Sequence, residues 1–409
     1  MNTLNTVDIL AAVDELAEPL SDPHTLYPHG GVGRTRPQSL LGGAAGLALL
    51  HLERARSGRG SWDTARAWLT AAAREEVSTG RNATLFYGAP ALGFLTRSVA
   101  DDPRRCPPVL AALDSKTIAL TRARLTLAHA RLDRGELPLL AEFDLFRGLA
   151  GLGAYHLRHH RRHTITRAVL NYLVRLTEPL PSISDGLPGW WTEVSPNGEI
   201  TADFPGGHGN IGLSHGIAGP LALLSLALLR GVAVDGQRDA LERICSWLDT
   251  WQQPGPWWPG VISRTNVETG QIDPSQRQAP RWCYGTAGLA RALQLAGIAT
   301  GDTARQRTAE AAMLGLLRDP DQLDRVTDTG LCHGLAGIGQ TAWRMAADAD
   351  TGEITGELPH LCRRLLARLS PPPSDPEFLD GIAGIALALH TLGTHQDPHT
   401  GWDACLLLA

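Results

Sequence analysis

The 409-residue sequence lacks the hallmarks of secreted and membrane-spanning proteins. Its longest apolar run, residues 217–229, contains Gly219, Pro220 and Ser225 and is too short to cross a bilayer. Residues 1–20 carry four acidic side chains and no basic region ahead of an apolar stretch, which excludes a secretory signal peptide. We therefore expect a cytoplasmic protein that does not insert into a membrane.

Lysine is almost absent, since Lys116 is the single lysine among 37 basic residues. This bias indicates an arginine-rich, GC-rich coding genome more than it indicates a function. The formal net charge is −5, which disfavours a nucleic-acid partner, and we expect none.

Cysteine is also scarce, with six residues in the whole chain. In a cytoplasmic protein these thiols should be reduced, so paired use would more often serve a metal than a disulfide. The cysteines are Cys106, Cys245, Cys283, Cys332, Cys362 and Cys405.

Glycine is abundant, and it is organised in an internal repeat. A Gly-x-small-Gly motif followed by an apolar helical run occurs seven times, once in a degenerate form. The spacing between copies fits one helical hairpin per repeat with loops of variable length. The first glycines are Gly43, Gly88, Gly148, Gly216, Gly285, Gly334 and Gly381.

These repeats predict an all-α fold. Each glycine in a first helical turn costs about 1 kcal/mol relative to alanine, so seven copies indicate a shared need for close backbone approach. A closed α/α toroid, with seven inner and seven outer helices, meets that need and forms a single domain over residues 1–409. An open solenoid is the alternative, although it would not require glycine at every inner helix start.

Two loops interrupt the helical pattern and are predicted to form short β-hairpins. The first, residues 186–209, contains the turn signal Asn197-Gly198, and the second covers residues 255–280. Both are rich in tryptophan, and these side chains either line a wall for a peptide or pack the loops onto the helices. They are Trp190, Trp191, Trp257 and Trp258.

The residues just before the first glycine carry the candidate chemistry. Cys283, Cys332-His333 and His215 occupy this position in three consecutive repeats, so a ring of repeats would bring them to one end. Two thiolates and an imidazole are ligands that Zn²⁺ prefers, and three protein ligands leave one position open for catalysis. The alternative is that both cysteines are buried small side chains and that His333 caps a helix.

Two further residues are candidates for proton transfer. His215 matches His333 in the repeat, and a fourth metal ligand, a general acid or base, and a packed structural residue are all open to it. We favour the acid–base role. Asp144, one turn before Gly148, taken alone would be a capping or solvated carboxylate, as would Asp380.

Three strings resemble the LanC-type lanthipeptide cyclases: NIGLSHGIAG (210–219), WCYGTAG (282–288) and CHGLAG (332–337). The sevenfold repeat, which covers the chain from about residue 40, is similar as well. The resemblance implies an α/α toroid that binds zinc through Cys283, Cys332 and His333. It also implies that a precursor-peptide Cys thiol adds to dehydroalanine or dehydrobutyrine to form a (methyl)lanthionine thioether.

The same resemblance assigns roles beside the metal to His215 and Asp144, and to an arginine shortly before the WCYG string. Arg281 is the first candidate for that arginine and Arg277 the second. The implied partners are a dehydrated precursor peptide with its leader, a separate dehydratase and, as a further candidate, a transporter.

Other functions remain open at this point. A related enzyme could add glutathione to dehydrated residues, or a non-catalytic scaffold could hold a precursor peptide within a synthetase complex. A toroidal glycosidase would use Asp144 and Asp380 as opposed carboxylates, but it leaves Cys283 and Cys332 unexplained.

Overall fold

The computed structural model describes residues 6–26, 36–99, 108–180, 186–195, 198–200, 202 and 204–409. Most of these residues are helical, and none of their helices is long and apolar enough to cross a membrane. The chain divides into two compact units. Unit 1 comprises residues 1–117 and 326–404, and unit 2 comprises residues 118–325 and 405–409.

The regular elements are as follows. The helices are α1 Thr6–Ala17, α2 Pro23–Leu26, α3 Ala44–Arg56, α4 Trp62–Ala72, α5 Ala89–Val99, α6 Pro108–Asp133, α7 Leu140–Phe143, α8 Leu149–His159, α9 Thr164–Leu176, α10 Ala218–Leu229, α11 Gln237–Thr250, α12 Arg264–Thr269, α13 Thr286–Thr300, α14 Thr303–Arg318, α15 Pro320–Asp324, α16 Leu335–Asp348, α17 Glu353–Ala367 and α18 Ile382–Thr394. The strands are β1 His208–Asn210 and β2 Val261–Ser263, and short 3₁₀ turns cover Glu18–Leu20, Pro274–Gln276 and Trp402–Leu406.

A helix begins at each of the seven glycine motifs, and these helices are α3, α5, α8, α10, α13, α16 and α18. They are buried along most of their length, as the apolar run of α10 illustrates. The helices packed against them are amphipathic and bury one side, as α11 does. In unit 1, the helix that packs on α18 is α1, so the first helix of the chain flanks the last repeat.

Backbone hydrogen bonds link the turns that precede the glycine-led helices of neighbouring repeats in unit 1. The Cys332 N–H donates to the Leu379 carbonyl at 3.0 Å, and the Leu379 N–H donates to the Leu41 carbonyl at 3.2 Å. The Leu40 N–H then donates to the Phe86 carbonyl at 2.9 Å. Within unit 1, the last repeat is therefore joined to the first by the same kind of contact that joins it to the repeat before it.

Unit 2 contains backbone hydrogen bonds of the same kind between the turns of neighbouring repeats. The Leu145 N–H donates to the Ser214 carbonyl at 3.0 Å, and the Leu213 N–H donates to the Cys283 carbonyl at 2.9 Å. These bonds satisfy polar groups that would otherwise be buried without a partner. They also hold the turns before α8, α10 and α13 side by side, which brings side chains far apart in sequence together.

The second glycine of the motif is required by the turn of its own repeat. A Cβ atom at Gly337 would overlap the Leu331 carbonyl oxygen, and one at Gly288 would overlap the Trp282 carbonyl oxygen. The prediction of close backbone approach is thus correct, but the partner is the preceding turn more than a neighbouring helix. Gly285 adds a positive φ of 100°, a conformation that side-chain-bearing residues rarely adopt.

The first loop folds back on itself through an antiparallel bridge between Thr192 and His208, in agreement with the hairpin predicted there. The two loops also pair with each other, which was not predicted. Strand β1 from the first loop pairs antiparallel with β2 from the second, with Gly209 opposite Ile262. The second loop does not turn back on itself because Ser263 starts helix α12 through a capping box with Asn266. In the first loop, the Gly198 N–H donates to the Ser195 carbonyl, so a turn does form there, while Asn197 lies outside the described residues.

Candidate active site and its relatives

Asp144 and His215 are hydrogen-bonded to each other in unit 2. The Asp144 carboxylate is 1% exposed, and its Oδ2 lies 2.7 Å from His215 Nδ1. Its other oxygen, Oδ1, accepts the backbone N–H groups of Arg147 at 2.6 Å and Gly148 at 2.7 Å. The carboxylate therefore caps the turn before α8 and orients the histidine at once. The capping role of Asp144 is thus confirmed, and its role beside His215 in the chemistry stays a prediction.

The environment of His215 leaves one edge of the ring available. With Nδ1 donating to Asp144, the neutral ring carries its acceptor lone pair on Nε2. The ring lies 5.1 Å from the Phe146 ring and 6.4 Å from the Tyr284 ring, measured between centroids. Its side chain keeps 20% exposure. A histidine held in this way is able to exchange a proton with a molecule at its open edge.

Arg124 on α6 lies close enough to Asp144 to interact with it electrostatically. Burial lowers the pKa of the Arg124 guanidinium, and the negative charge of Asp144 opposes that change. The guanidinium also donates to the Arg147 carbonyl. Sequence reasoning missed Arg124 because it lies in a helix with no motif, so this contact had no sequence signal.

The Asp144 turn is anchored two residues earlier by Glu142. The Oε1 atom of Glu142 accepts the Arg131 guanidinium at 2.7 Å and the Tyr172 hydroxyl at 2.7 Å. Burial, and next the negative charge of Glu142, raise the pKa of Tyr172 well above its ordinary value, so the phenol stays a donor. Helices α6 and α9 thus hold the turn from which Asp144 projects.

Unit 1 contains the Cys332-His333 pair in the turn before α16. Cys332 Sγ lies 3.7 Å from His333 Nε2, and His333 Nδ1 lies 3.1 Å from Asp380 Oδ1. The carboxylate occupies one ring nitrogen and leaves the other beside the thiol sulfur. A histidine that ligates a metal commonly has this arrangement, with its second nitrogen bonded to a carboxylate.

Cys283 occupies the corresponding turn in unit 2. It is buried, and its carbonyl accepts the N–H of Leu213. Trp282, the residue before it, donates its indole N–H to the Leu406 carbonyl at 3.2 Å and packs edge-on against Phe146. The thiol is therefore held on a rigid turn, as predicted from the repeat.

A model of the family described as "Lanthionine synthetase C-like protein" matches residues 35–407. The chain belongs to this family. Among curated proteins it is similar to the nisin biosynthesis protein NisC of Lactococcus lactis subsp. lactis, with 22% identity over 278 residues. That alignment covers 65% of this chain and 64% of NisC, so it spans slightly less than two thirds of the relative's length.

The solved structure named "Nisin cyclase" superposes on this family member with a TM-score of 0.76 at 18% sequence identity. The match covers 98% of this chain and 96% of the other. At this identity the comparison shows the fold, and it confirms the predicted helical toroid.

Neither candidate arginine is hydrogen-bonded to Asp144 or His215 in the part of the chain that the structure describes. The backbone N–H of Arg281 donates to the Tyr284 carbonyl at 2.9 Å, while its Nε is buried without a partner among those residues. The Arg277 guanidinium lies over the Trp257 ring at 5.7 Å. The role of Arg281 stays a prediction.

The remaining described cysteines of this family member are reduced and buried. Burial raises the pKa of the Cys245 thiol to about 12 and that of the Cys362 thiol to about 11. Such thiols stay protonated and unreactive at neutral pH. Cys245, Cys362 and Cys405 are therefore small core side chains, while Cys106 lies outside the described residues.

The tryptophans of the two loops pack the loops rather than line an open wall. All four predicted wall residues are at most 7% exposed. Trp191 donates to the Gly206 carbonyl and Trp258 to the Leu248 carbonyl, both at 3.0 Å. Their indoles therefore stabilise the loops that surround β1 and β2.

Proposed function

We propose that this protein is a zinc-dependent cyclase that forms (methyl)lanthionine rings in a dehydrated precursor peptide. Membership of the lanthionine synthetase C-like family supports the reaction class. The observation that carries the chemistry is the Asp144–His215 contact at 2.7 Å, since it gives a buried, oriented acid–base group. The names of the nisin relatives support a peptide of the same biosynthetic class as substrate.

Cys283, Cys332 and His333 are the proposed zinc ligands. The donor set supports this assignment, because two cysteines and one histidine make up a possible metal-binding group. The local geometry around His333 supports it too, since Asp380 engages Nδ1 while Nε2 lies beside the sulfur of Cys332. Zinc bound there would supply a Lewis acid that favours the thiolate form of a substrate cysteine.

The chain's own residues manage the protons of the addition. The new C–S bond forms as the thiolate attacks the alkene β-carbon, and the α-carbon must then gain a proton. The thiol loses one proton and the α-carbon gains one, so the addition is redox-neutral and leaves the peptide mass unchanged. His215, oriented by Asp144, is the proposed group that carries this proton through Nε2.

The proposed setting follows from this chemistry. The substrate must already contain dehydroalanine or dehydrobutyrine, so a separate dehydratase is the proposed partner that supplies it, with a transporter as a further one. We place the reaction in the cytoplasm, where the substrate thiol stays reduced. Arg281 is proposed to act near the same site, and the seven repeats are proposed to form one domain.

The test is ring formation in a chemically or enzymatically dehydrated peptide that carries one cysteine. Because the intact mass does not change, the readout is alkylation of the remaining free thiol followed by mass spectrometry. The protein should remove the alkylatable thiol, and the His215→Asn variant should not. Fragmentation of the product should show a thioether crosslink.

The competing functions give different outcomes in the same assay. If glutathione is present and the product gains the mass of glutathione without an internal ring, the protein is a glutathione-adding relative. If the peptide binds but keeps its free thiol under all conditions, the protein is a scaffold. Either result would reject the cyclase proposal.

A further inference from the structure

The loop that carries His215 runs from the end of β1 to the start of α10, and Asn210 lies at its base. Asn210 is fully buried. Its backbone carbonyl accepts the N–H of Ile217 at 2.9 Å, and its side-chain Oδ1 accepts the N–H of Gly212 at 3.0 Å. One residue therefore closes the loop from both ends, with His215 between the two hydrogen bonds.

The third polar group of Asn210 reaches the neighbouring repeat. Its Nδ2 donates to the Tyr284 hydroxyl at 2.9 Å. The Tyr284 ring lies against the same loop, because a Cβ atom at Gly212 would come within 2.6 Å of its Cε1. The ring is also tilted by 32° against the imidazole of His215. Asn210 thus fixes both the loop that carries His215 and one of the two aromatic rings beside it.

Gly216 packs directly against Asn210. A Cβ atom at Gly216 would lie 2.5 Å from both the backbone and the side-chain oxygen of Asn210. The Asp144 contact restrains His215 at Nδ1 alone. The Asn210–Tyr284 pair supplies the second restraint.

We propose that Asn210 is a positioning residue that holds the His215 ring in its reactive orientation, acting through the 210–217 loop and through Tyr284. This rests on the proposed acid–base role of His215. It gives strand β1 a function, because the strand delivers Asn210 to the base of the loop. It also gives a role to the hydrogen bond from Asn210 to the Tyr284 hydroxyl, which joins the turns of two neighbouring repeats.

The test compares three variants with a matched control. Asn210→Ala removes both side-chain hydrogen bonds, Tyr284→Phe removes the hydroxyl alone and preserves the packing, and Asn210→Asp keeps an acceptor for both partners. The control is Asn266→Ala, since Asn266 is also a buried asparagine; it lies in helix α12, donates to the Gln271 carbonyl at 2.7 Å and has no hydrogen bond to residues 210–217 or to Tyr284.

The first readout is independent of turnover. In protein labelled on histidine, the ring resonances of His215 are assigned with His215→Asn. They should shift or broaden in Asn210→Ala and Tyr284→Phe and stay unchanged in Asn266→Ala. Unchanged His215 resonances in Asn210→Ala would overturn the proposal, even if ring formation slows. If Asn210→Ala fails to fold, Tyr284→Phe decides the question in the same way.

The second readout is the rate of ring closure in a dehydrated peptide. The loss of a positioning hydrogen bond should lower kcat about tenfold in Asn210→Ala, with KM within about twofold of the wild type. Asn210→Asp should be faster than Asn210→Ala but slower than the wild type. The double variant Asn210→Ala/Tyr284→Phe should be no slower than Asn210→Ala alone. A fully multiplicative double variant would overturn the coupling. If the wild type closes no rings, the cyclase proposal fails while the resonances of His215 still test Asn210.

Discussion

The 2.7 Å contact between His215 Nδ1 and Asp144 Oδ2 joins two residues 71 positions apart. The other carboxylate oxygen of Asp144, Oδ1, caps the turn before α8. The same side chain thus fixes the backbone of one repeat and the imidazole of the next. Because the cap holds the carboxylate, the histidine meets an acceptor that needs no rearrangement before a proton moves.

Replacing Asp144 with asparagine separates the two roles of this residue. The amide of Asp144→Asn can still accept the backbone N–H bonds, but it lacks the charge that stabilises protonated His215. We expect the rate of ring formation to fall about 10²-fold or more, with little loss of stability. The comparison is Asp328→Asn, because Asp328 caps its turn through the Gly330 N–H at 2.7 Å and should tolerate the change. Equal losses in both variants would contradict the role of Asp144.

Zinc content tests the proposed ligands without any substrate. The purified wild type should contain about one zinc per chain, measured by inductively coupled plasma mass spectrometry. Cys283→Ala, Cys332→Ala and His333→Ala should each lose most of it. Cys362→Ala is the control, because the Cys362 thiol is buried with its pKa raised to about 11 and should not bind metal. Retention of zinc by Cys283→Ala would remove this residue from the ligand set.

Asp380 should tune the metal site through His333. Its carboxylate lies 3.1 Å from His333 Nδ1 and orients the ring. Asp380→Asn is expected to weaken zinc binding about 10- to 100-fold in a chelator competition, because the ring loses its charged partner. Asp375→Asn serves as the matched control, since Asp375 accepts the Glu377 N–H in the same turn without touching His333. No difference between the two variants would refute the prediction.

Two glycine substitutions should change stability in opposite directions. Gly337→Ala places a Cβ atom on the Leu331 carbonyl and should lower the free energy of unfolding by roughly 2–4 kcal/mol. Gly315→Ala, in the interior of α14, meets nothing within 4 Å and should raise it by roughly 0.5–1 kcal/mol. Urea unfolding measures both. A stabilised Gly337→Ala variant would contradict the account of the motif.

Acid should destabilise unit 1 through His51. Burial lowers the pKa of this histidine to about 4, while its neutral ring bonds the Leu20 carbonyl at 2.7 Å. The unfolded chain binds a proton near pH 6.5 and the folded chain only near pH 4, so stability falls as the pH drops between these values. The loss attributable to His51 is about 3 kcal/mol. In thermal unfolding measured as a function of pH, His51→Gln should reduce the loss of stability between pH 6.5 and about pH 4. An unchanged dependence of stability on pH would contradict this role of His51.

The seven helix starts could be read from the sequence because the glycine motif acts locally. In five of the strings the second glycine lies against a carbonyl of its own preceding turn, as Gly288 does with Trp282, so the signal lies within a few residues. The candidate residues Cys283, Cys332, His333 and His215 were visible for the same reason, since they stand at one fixed place in that turn. The sequence therefore determined the helical fold and the types of side chain at the site.

Only the tertiary structure decided which of these side chains act on one another. The pairing of Asp144 with His215, of Asp380 with His333 and of Asn210 with Tyr284 depends on hydrogen bonds between turns of different repeats. The same holds for the pairing of β1 with β2, which joins two loops that the sequence treated as separate hairpins, although the first loop does also fold back on itself. Helix starts depend on residues within one turn of the chain. These contacts form only when packed helices bring turns that are distant in sequence together, so no local sequence pattern predicts them.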